Sequence, residues 1–230
     1  MRPATHGSEG LYGCGRLATH DGAPLRPGGL ELTEELIDLA EFAAGDRVLD
    51  VGCGQGASTR LLNRRGVAAI GIDIDLDAVT DPKTPLVVAD AARLPFADAS
   101  LNGVLAECVL STLTDAGRAL AEWARVLKAG GRLALSDVVS GCAGGLTRIM
   151  TREGLSQAVA AAGLRVERFE DRSDALKRWA GEFIFGYGSL DALCGGRGGL
   201  DAAALRLSRP GYCLVVARKA GDGLAETSHG

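Results

Sequence analysis

Apolar positions along this chain follow two rhythms. Some form short, mostly apolar runs of four to eight residues, and others recur every three or four positions. The runs predict strands over residues 48–51, 67–72, 86–89, 101–106, 132–139, 164–169 and 212–217. The spaced positions predict helices over 33–43, 58–65, 115–127, 151–162 and 173–185. In the first helix Leu36, Ile37, Leu39, Ala40 and Ala43 share a face, Thr33 is the expected N-cap and Gly45 the stop. In the third, Leu120, Trp123, Ala124 and Leu127 share a face. A short broken helix over 76–80 stops at Asp81-Pro82, and Ala129-Gly130-Gly131 makes a turn. Unbroken apolar strands suit a sheet covered on both faces, and their alternation with helices predicts a doubly wound α/β sheet.

The flanks read differently. Residues 1–30, rich in Gly, Pro and polar side chains, predict an irregular arm or lid before a domain over 31–219. Residues 194–199 read as a glycine loop, and 220–230 as a disordered tail. A length of 230 residues fits one such domain, and aromatics at only 4% leave the core to aliphatic side chains. The formal charge of −4, without a dense Lys/Arg run, argues against nucleic acid as a partner. No apolar stretch nears the ~18 residues of a membrane span, and the N-terminus lacks the apolar region of a signal peptide, so a cytoplasmic protein is expected. Six cysteines in a chain this long do not make a disulfide scaffold.

The chemistry starts at Asp50-Val51-Gly52-Cys53-Gly54-Gln55-Gly56, between the first strand and its helix. Such a turn lets backbone approach a ligand, and the helix N-terminus adds free N–H groups. Asp73 follows the second strand and Asp90 the third. In a doubly wound sheet these strand ends line one crevice, where an acid after the second strand suits a ribose diol. An acid after the third suits an adenine amino group. Asp50 beside the turn favours a ligand with an ammonium over one with a pyrophosphate, which it would repel. The spacing Gly52-x-Gly54-x-x-Ala57 also satisfies the loose dinucleotide pattern, so a nicotinamide or flavin enzyme stays open on that pattern alone.

The segment Asp50–Gly56 resembles motif I of class I S-adenosylmethionine-dependent methyltransferases, of the methyltransferase domain 11/25 type. The resemblance continues through Gly71-Ile72-Asp73, the run from Asp90 to Ser100 and the run from Arg125 to Leu133, covering roughly residues 33 to 140. It implies a Rossmann-like seven-stranded sheet with helices on both faces and its last strand antiparallel, which residues 186–217 would supply. It implies S-adenosylmethionine as cofactor. Asp50, Gly52, Cys53, Gly54 and Gln55 would then surround the methionine moiety, Asp73 and Ile74 the ribose, Asp90 and Ala91 the adenine, and Glu107 the methyl side.

The acceptor is read from what is missing and from the thiols. The three histidines, His6, His20 and His229, lie near the termini, away from the strand ends. That favours an acceptor that is already nucleophilic. Cys108 follows the fourth strand and Cys142 the fifth, and Cys14 in the arm would close over them. Thiolates select soft, thiophilic ions. These places resemble arsenite methyltransferases, where cysteines after strands four and five bind trivalent arsenic as substrate. The N-terminal cysteines of that family have no clean match here. Cys108 and Cys142 read equally as small buried hydrophobes, the usual place of a free cysteine, while Cys53 reads as structural lining of the turn and Cys213 as strand core. No paired ligand spacing suggests a resident metal.

The expectation is therefore a methyltransferase for a small-molecule acceptor. Thiol-bound trivalent arsenic and a quinone-type organic metabolite are its two versions. An NAD-dependent oxidoreductase and a non-catalytic cofactor-binding protein are the competitors from other classes.

Overall fold

The structure, a computed structural model, describes residues 26–74, 84–142, 149–187 and 207–221. The expected helix over 76–80, the loop over 194–199, nearly all of the arm and tail, and Cys14 lie outside the described residues.

The described chain runs α1 (Gly29–Leu39), β1 (Arg47–Val51), α2 (Ala57–Arg64), β2 (Ala68–Asp73), β3 (Leu86–Val88), β4 (Leu101–Glu107), α3 (Ala116–Val126), β5 (Leu127–Val139), α4 (Arg152–Ala161), β6 (Leu164–Asp171), α5 (Ser173–Tyr187) and β7 (Gly211–Lys219). A 3-10 turn, Leu110–Thr112, follows β4. The strands form one seven-stranded sheet in the order β3-β2-β1-β4-β5-β7-β6. Pairings from β3 to β5 are parallel, and β7 inserts antiparallel between β5 and β6. The order reverses direction between β1 and β4, the switch point at which open α/β sheets bind ligands.

Both faces are covered. Leu49, Val51, Val104 and Leu135 pack with Leu120 and Trp123 of α3 and Leu155 and Val159 of α4. On the other face Val48, Leu105 and Leu214 pack with Leu36 and Ile37 of α1 and Leu62 of α2. Interior strands β1 and β4 are therefore almost wholly buried, while β3, an edge strand, exposes Val87 and Val88. Local signals set several boundaries. Asp115 caps α3 by accepting from Arg118 N, Thr151 caps α4 by accepting from Gly154 N, and Gly163 adopts a left-handed turn after it.

Two expectations need correction. Helix α1 starts at Gly29, not Thr33, because Gly28 and Gly29 both take left-handed φ and turn the chain early. Thr33 is thus inside the helix and fully buried. The same helix ends at Leu39, with Glu41 in left-handed conformation, so Ala43 lies outside it. The turn expected at 129–131 is absorbed into β5. That strand reaches back to Leu127, which pairs with Leu101, and the register shifts before Arg132 pairs with Gly103. Left-handed Gly130 lies within the irregular stretch.

Candidate functional site

The glycine turn stands at the carboxyl end of β1. Gly52, Gly54 and Gly56 all adopt left-handed φ, at 66°, 50° and 76°. A Cβ on Gly52 would lie 2.3 Å from Cγ2 of Val109, so the chain leaving β4 packs directly on the turn. The turn closes on itself, Gly56 N donating to Cys53 O at 2.8 Å, and Cys53 N joins it to Ile72 O of β2. Gly52 and Gly54 keep exposed backbone, which a ligand can approach closely. The Cys53 thiol is half-buried. Burial, with Asp50 and Asp73 adding negative charge, pushes its pKa up, so it is a neutral lining group. Gln55 is half-buried, and its carbonyl accepts from Arg60.

The acids on the strand ends fall into two kinds. Asp73 is half-buried and accepts from Gly54 N at 2.9 Å, tying the end of β2 to the turn. Ile74 beside it is 51% exposed. Asp90 is exposed and accepts from Ala92 N, forming an Asx turn after β3. Ala91 is fixed through its carbonyl, which accepts from Trp123 Nε1 of α3 at 3.0 Å.

Asp50 and Glu107 are buried. Asp50 is 2% exposed and accepts from Thr59 Oγ1 of α2 at 2.6 Å. Burial pushes its carboxyl up to about 7; the Thr59 hydrogen bond opposes this, and nearby Glu107 adds to it. It is therefore held against α2 from beneath the turn. Glu107, 9% exposed, accepts from Thr33 at 3.0 Å and Ser58 at 2.7 Å and pairs with Arg26 at 2.8 Å. Burial works against the Arg26 cation, but Glu107 and further negative surroundings outweigh it and hold its pKa above the ordinary value. The Arg26 Nε is buried without a hydrogen-bond partner. Such a group costs about 1–3 kcal/mol until something accepts from it.

Arg26, Thr33 and Ser58 were not legible as site residues. Arg26 is one cation in an irregular segment, and Thr33 reads as a cap. A second group also goes unannounced. Asp137 in β5, 2% exposed, accepts from Ser111 N at 2.9 Å and Val138 N at 2.7 Å, fixing the 3-10 turn after β4. Burial raises its pKa.

The thiols have separate partners. Cys108 is 6% exposed, and its left-handed φ of 57° puts it among core residues facing α1 and α2, the side that Leu105 also faces. Its Sγ lies 3.1 Å from Tyr212 Oη of β7, which donates to Ser136 Oγ at 3.0 Å. Cys142 is half-buried and meets Ser140 and the Leu207 carbonyl. Cys213 is core, and burial pushes its thiol up to about 12. Among the described residues no cluster of three or more His, Cys, Asp or Glu is arranged to hold a metal. A cavity of about 230 Å³, lined by Phe42, Lys128 and Arg218 among others, lies at the opposite end of the sheet.

Comparison with known proteins agrees with this geometry. Residues 49–135 match the family model described as a methyltransferase domain. The methyltransferase GfsG of Streptomyces halstedii is 34% identical over 128 residues, which cover 50% of this chain and 46% of that protein. A demethylmenaquinone methyltransferase of Corynebacterium urealyticum is 37% identical over 100 residues, covering 42% of this chain and 44% of that protein. Among solved structures, the [4+2]-cyclase SpnF superposes with a TM-score of 0.68 at 27% identity, covering 83% of this chain and 80% of that one. The chain spans about half the length of the curated relatives it matches.

The sheet order and the glycine turn agree with the match of residues 49–135 to a methyltransferase domain. That segment carries the domain, and S-adenosylmethionine is the cofactor that a class I domain of this kind binds. The residues present fit the cofactor: exposed left-handed glycines, an acid at the end of β2, and a buried Nε that lacks an acceptor.

Proposed function

We propose that this protein transfers a methyl group from S-adenosylmethionine to a small organic acceptor. The observation that carries the reading is the junction of β1, β2 and β4. There the left-handed turn at Gly52–Gly56 is bound by Asp73 and packed by Val109. The bound cofactor supplies a methyl group already activated on a sulfonium, so the protein's main tasks are alignment and exclusion of water. Asp73 and Ile74 receive the ribose, Asp90 and Ala91 the adenine, and the backbone of Gly52 to Gly54 the methionine end. Trp123 and Asp137 keep the loops after β3 and β4 in place.

An organic acceptor is favoured because the curated relatives include a demethylmenaquinone methyltransferase. It is favoured also because Cys108 is buried against Tyr212. The thiol reading, in which trivalent arsenic is held by Cys108 and Cys142, rests on their places after β4 and β5. A formal charge of −4 supports a small molecule over nucleic acid as partner. No helix among the described residues is long and apolar enough to cross a membrane.

The test is a labelled-cofactor assay against quinols, phenols and arsenite with reduced thiol. A methylated organic product, unchanged in Cys108→Ser, supports the proposal. Methylated arsenic that disappears in Cys108→Ser replaces it with the thiol reading. S-adenosylhomocysteine binding with no methyl transfer to any acceptor would move the chain to a use of the fold other than methyl transfer. NAD binding without S-adenosylhomocysteine binding would refute the donor itself.

A further inference from the structure

The end of the sheet away from the glycine turn gathers cations that its carboxylates only partly pair. There the cavity of about 230 Å³ opens among Phe42, Asn102, Lys128, Gly130, Arg132 and Arg218. Cross-strand register sets Arg132 of β5 opposite Arg218 of β7, and Arg218 opposite Arg165 of β6. Directly opposed like charges destabilise a sheet unless something neutralises them. Glu167 meets Arg132 at 3.5 Å and Arg165 at 2.9 Å, and Glu41 meets Arg132 at 2.7 Å. Arg218 stands between those arginines without an ion pair among the described residues.

Lys128 repeats the pattern. Its Nζ donates to Asn102 Oδ1 at 3.0 Å, a neutral oxygen that also accepts from Arg47 N. Gly130 brings bare main chain against Arg218, because it takes left-handed φ and a Cβ there would lie 3.3 Å from Arg218 Nη2. Glu41 and Asp46 also line the wall, but both carboxylates are engaged, by Arg132 and by Ala43 N at 2.9 Å. With Lys128, Arg132 and Arg218 against those acids, the wall keeps one positive charge in excess. That excess suits a singly charged anion, whereas a dianion would stay partly uncompensated. The volume of about 230 Å³ falls below the ~300–1,000 Å³ of drug-sized pockets, so the occupant is small. Phe42 adds an apolar surface: its ring lies over Gly103, where a Cβ would come within 2.3 Å of Cε1.

We propose that this cavity is a second binding site, for a small organic monocarboxylate that Arg218 and Lys128 hold and whose apolar body lies against Phe42. Guanidinium and ammonium both donate charge-assisted hydrogen bonds to carboxylate oxygens. The site is separate from the cofactor crevice. Strand β4 starts beside the cavity at Leu101 and Asn102 and reaches the crevice only at Glu107, its other end. The proposal goes beyond methyl transfer and does not depend on it.

Titration calorimetry of the full chain with sodium benzoate tests this, with sodium chloride holding the ionic strength constant. Benzoate should bind with a Kd of about 0.1–1 mM, the range of a small ligand with a few good contacts. Benzamide, similar in shape but neutral, should bind at least ~10-fold more weakly. Arg218→Gln should weaken benzoate binding ~10-fold without lowering the melting temperature, since Arg218 is exposed and its loss relieves opposed charges. Lys128→Gln should weaken it by a smaller factor, because an ammonium lacks the planar fork. Saturating S-adenosylhomocysteine should leave benzoate affinity unchanged. Benzamide binding as tightly as benzoate overturns the proposal, and so does benzoate affinity unchanged in Arg218→Gln. Absence of both binding heat and a rise in melting temperature at about 10 mM benzoate overturns it as well. Inorganic phosphate binding more tightly than benzoate would overturn the monocarboxylate assignment. Displacement of benzoate by S-adenosylhomocysteine would put it in the donor crevice and refute a second site.

Discussion

At the ends of β1 and β4, Asp50 and Glu107 are buried and bound by side chains of α1, α2 and Arg26. At the ends of β2 and β3, Asp73 is half-buried and accepts Gly54 N–H from the glycine turn, and Asp90 is exposed and accepts Ala92 N–H within its own loop. The same residue type at equivalent places thus has two fates. The cause is position in the sheet. Interior strands β1 and β4 carry helices over their ends, so an acid there must be neutralised or protonated. Strands nearer the edge deliver their acids to the crevice mouth, where a ligand meets them directly. The buried pair is bound into the turn and its helices, and the open pair is the one that the proposed function assigns to the cofactor.

Three substitutions probe that division. The largest effect belongs to Glu107→Ala, which strands the Arg26 cation in the interior. Unfolding in guanidinium should show a loss of about 3–5 kcal/mol. A loss under about 1 kcal/mol would mean that Arg26 finds water and that the pair is not buried in solution.

Asp50 gives a pH signature. Its folded carboxyl stands at about 7 against an ordinary value of 3.8. Between those values the folded state holds a proton that the unfolded state has released, so this group's contribution falls as pH rises. The penalty is absent below both values and complete above 7, with a slope of at most ~1.4 kcal/mol per pH unit between them. Asp50→Asn removes the slope, and its stability relative to wild type should improve from pH 5 to pH 8. A difference constant across that range would place Asp50 with the open acids instead.

The smallest effect on folding, and a clear one on binding, is expected for Asp73→Ala. S-adenosylhomocysteine affinity should drop ~10–100-fold with the loss of a charge-assisted partner. Unfolding stability should change by no more than about 1 kcal/mol, because Asp73 is only half-buried and its partner is an exposed loop N–H. A large stability loss with unchanged affinity would reverse the assignment.

Much of this architecture is readable locally. The apolar runs mark all seven strands to within a few residues, and Asp115, Thr151 and Gly163 mark helix ends by their own chemistry. The motif from Asp50 to Gly56, with Asp73 and Asp90, points to the cofactor from sequence alone. Thr33 shows where local reading stops. Its chemistry is that of a cap, yet it hydrogen-bonds Glu107, 74 residues away. Cys108 shows the same limit. Placing it after β4 suggests a thiol facing an acceptor, whereas its left-handed backbone puts it beside Tyr212, 104 residues further on.

By itself, then, the sequence determined the alternation of strands and helices, the glycine turn and the acids that follow the strands. These depend on repeats and turn chemistry within a few residues. Tertiary structure alone decided which acids are buried and which are open, and that Arg26 reaches Glu107. It also set the Cys108–Tyr212 contact. Those outcomes depend on which segments the folded sheet brings together and on the cost of leaving a charge there without a partner.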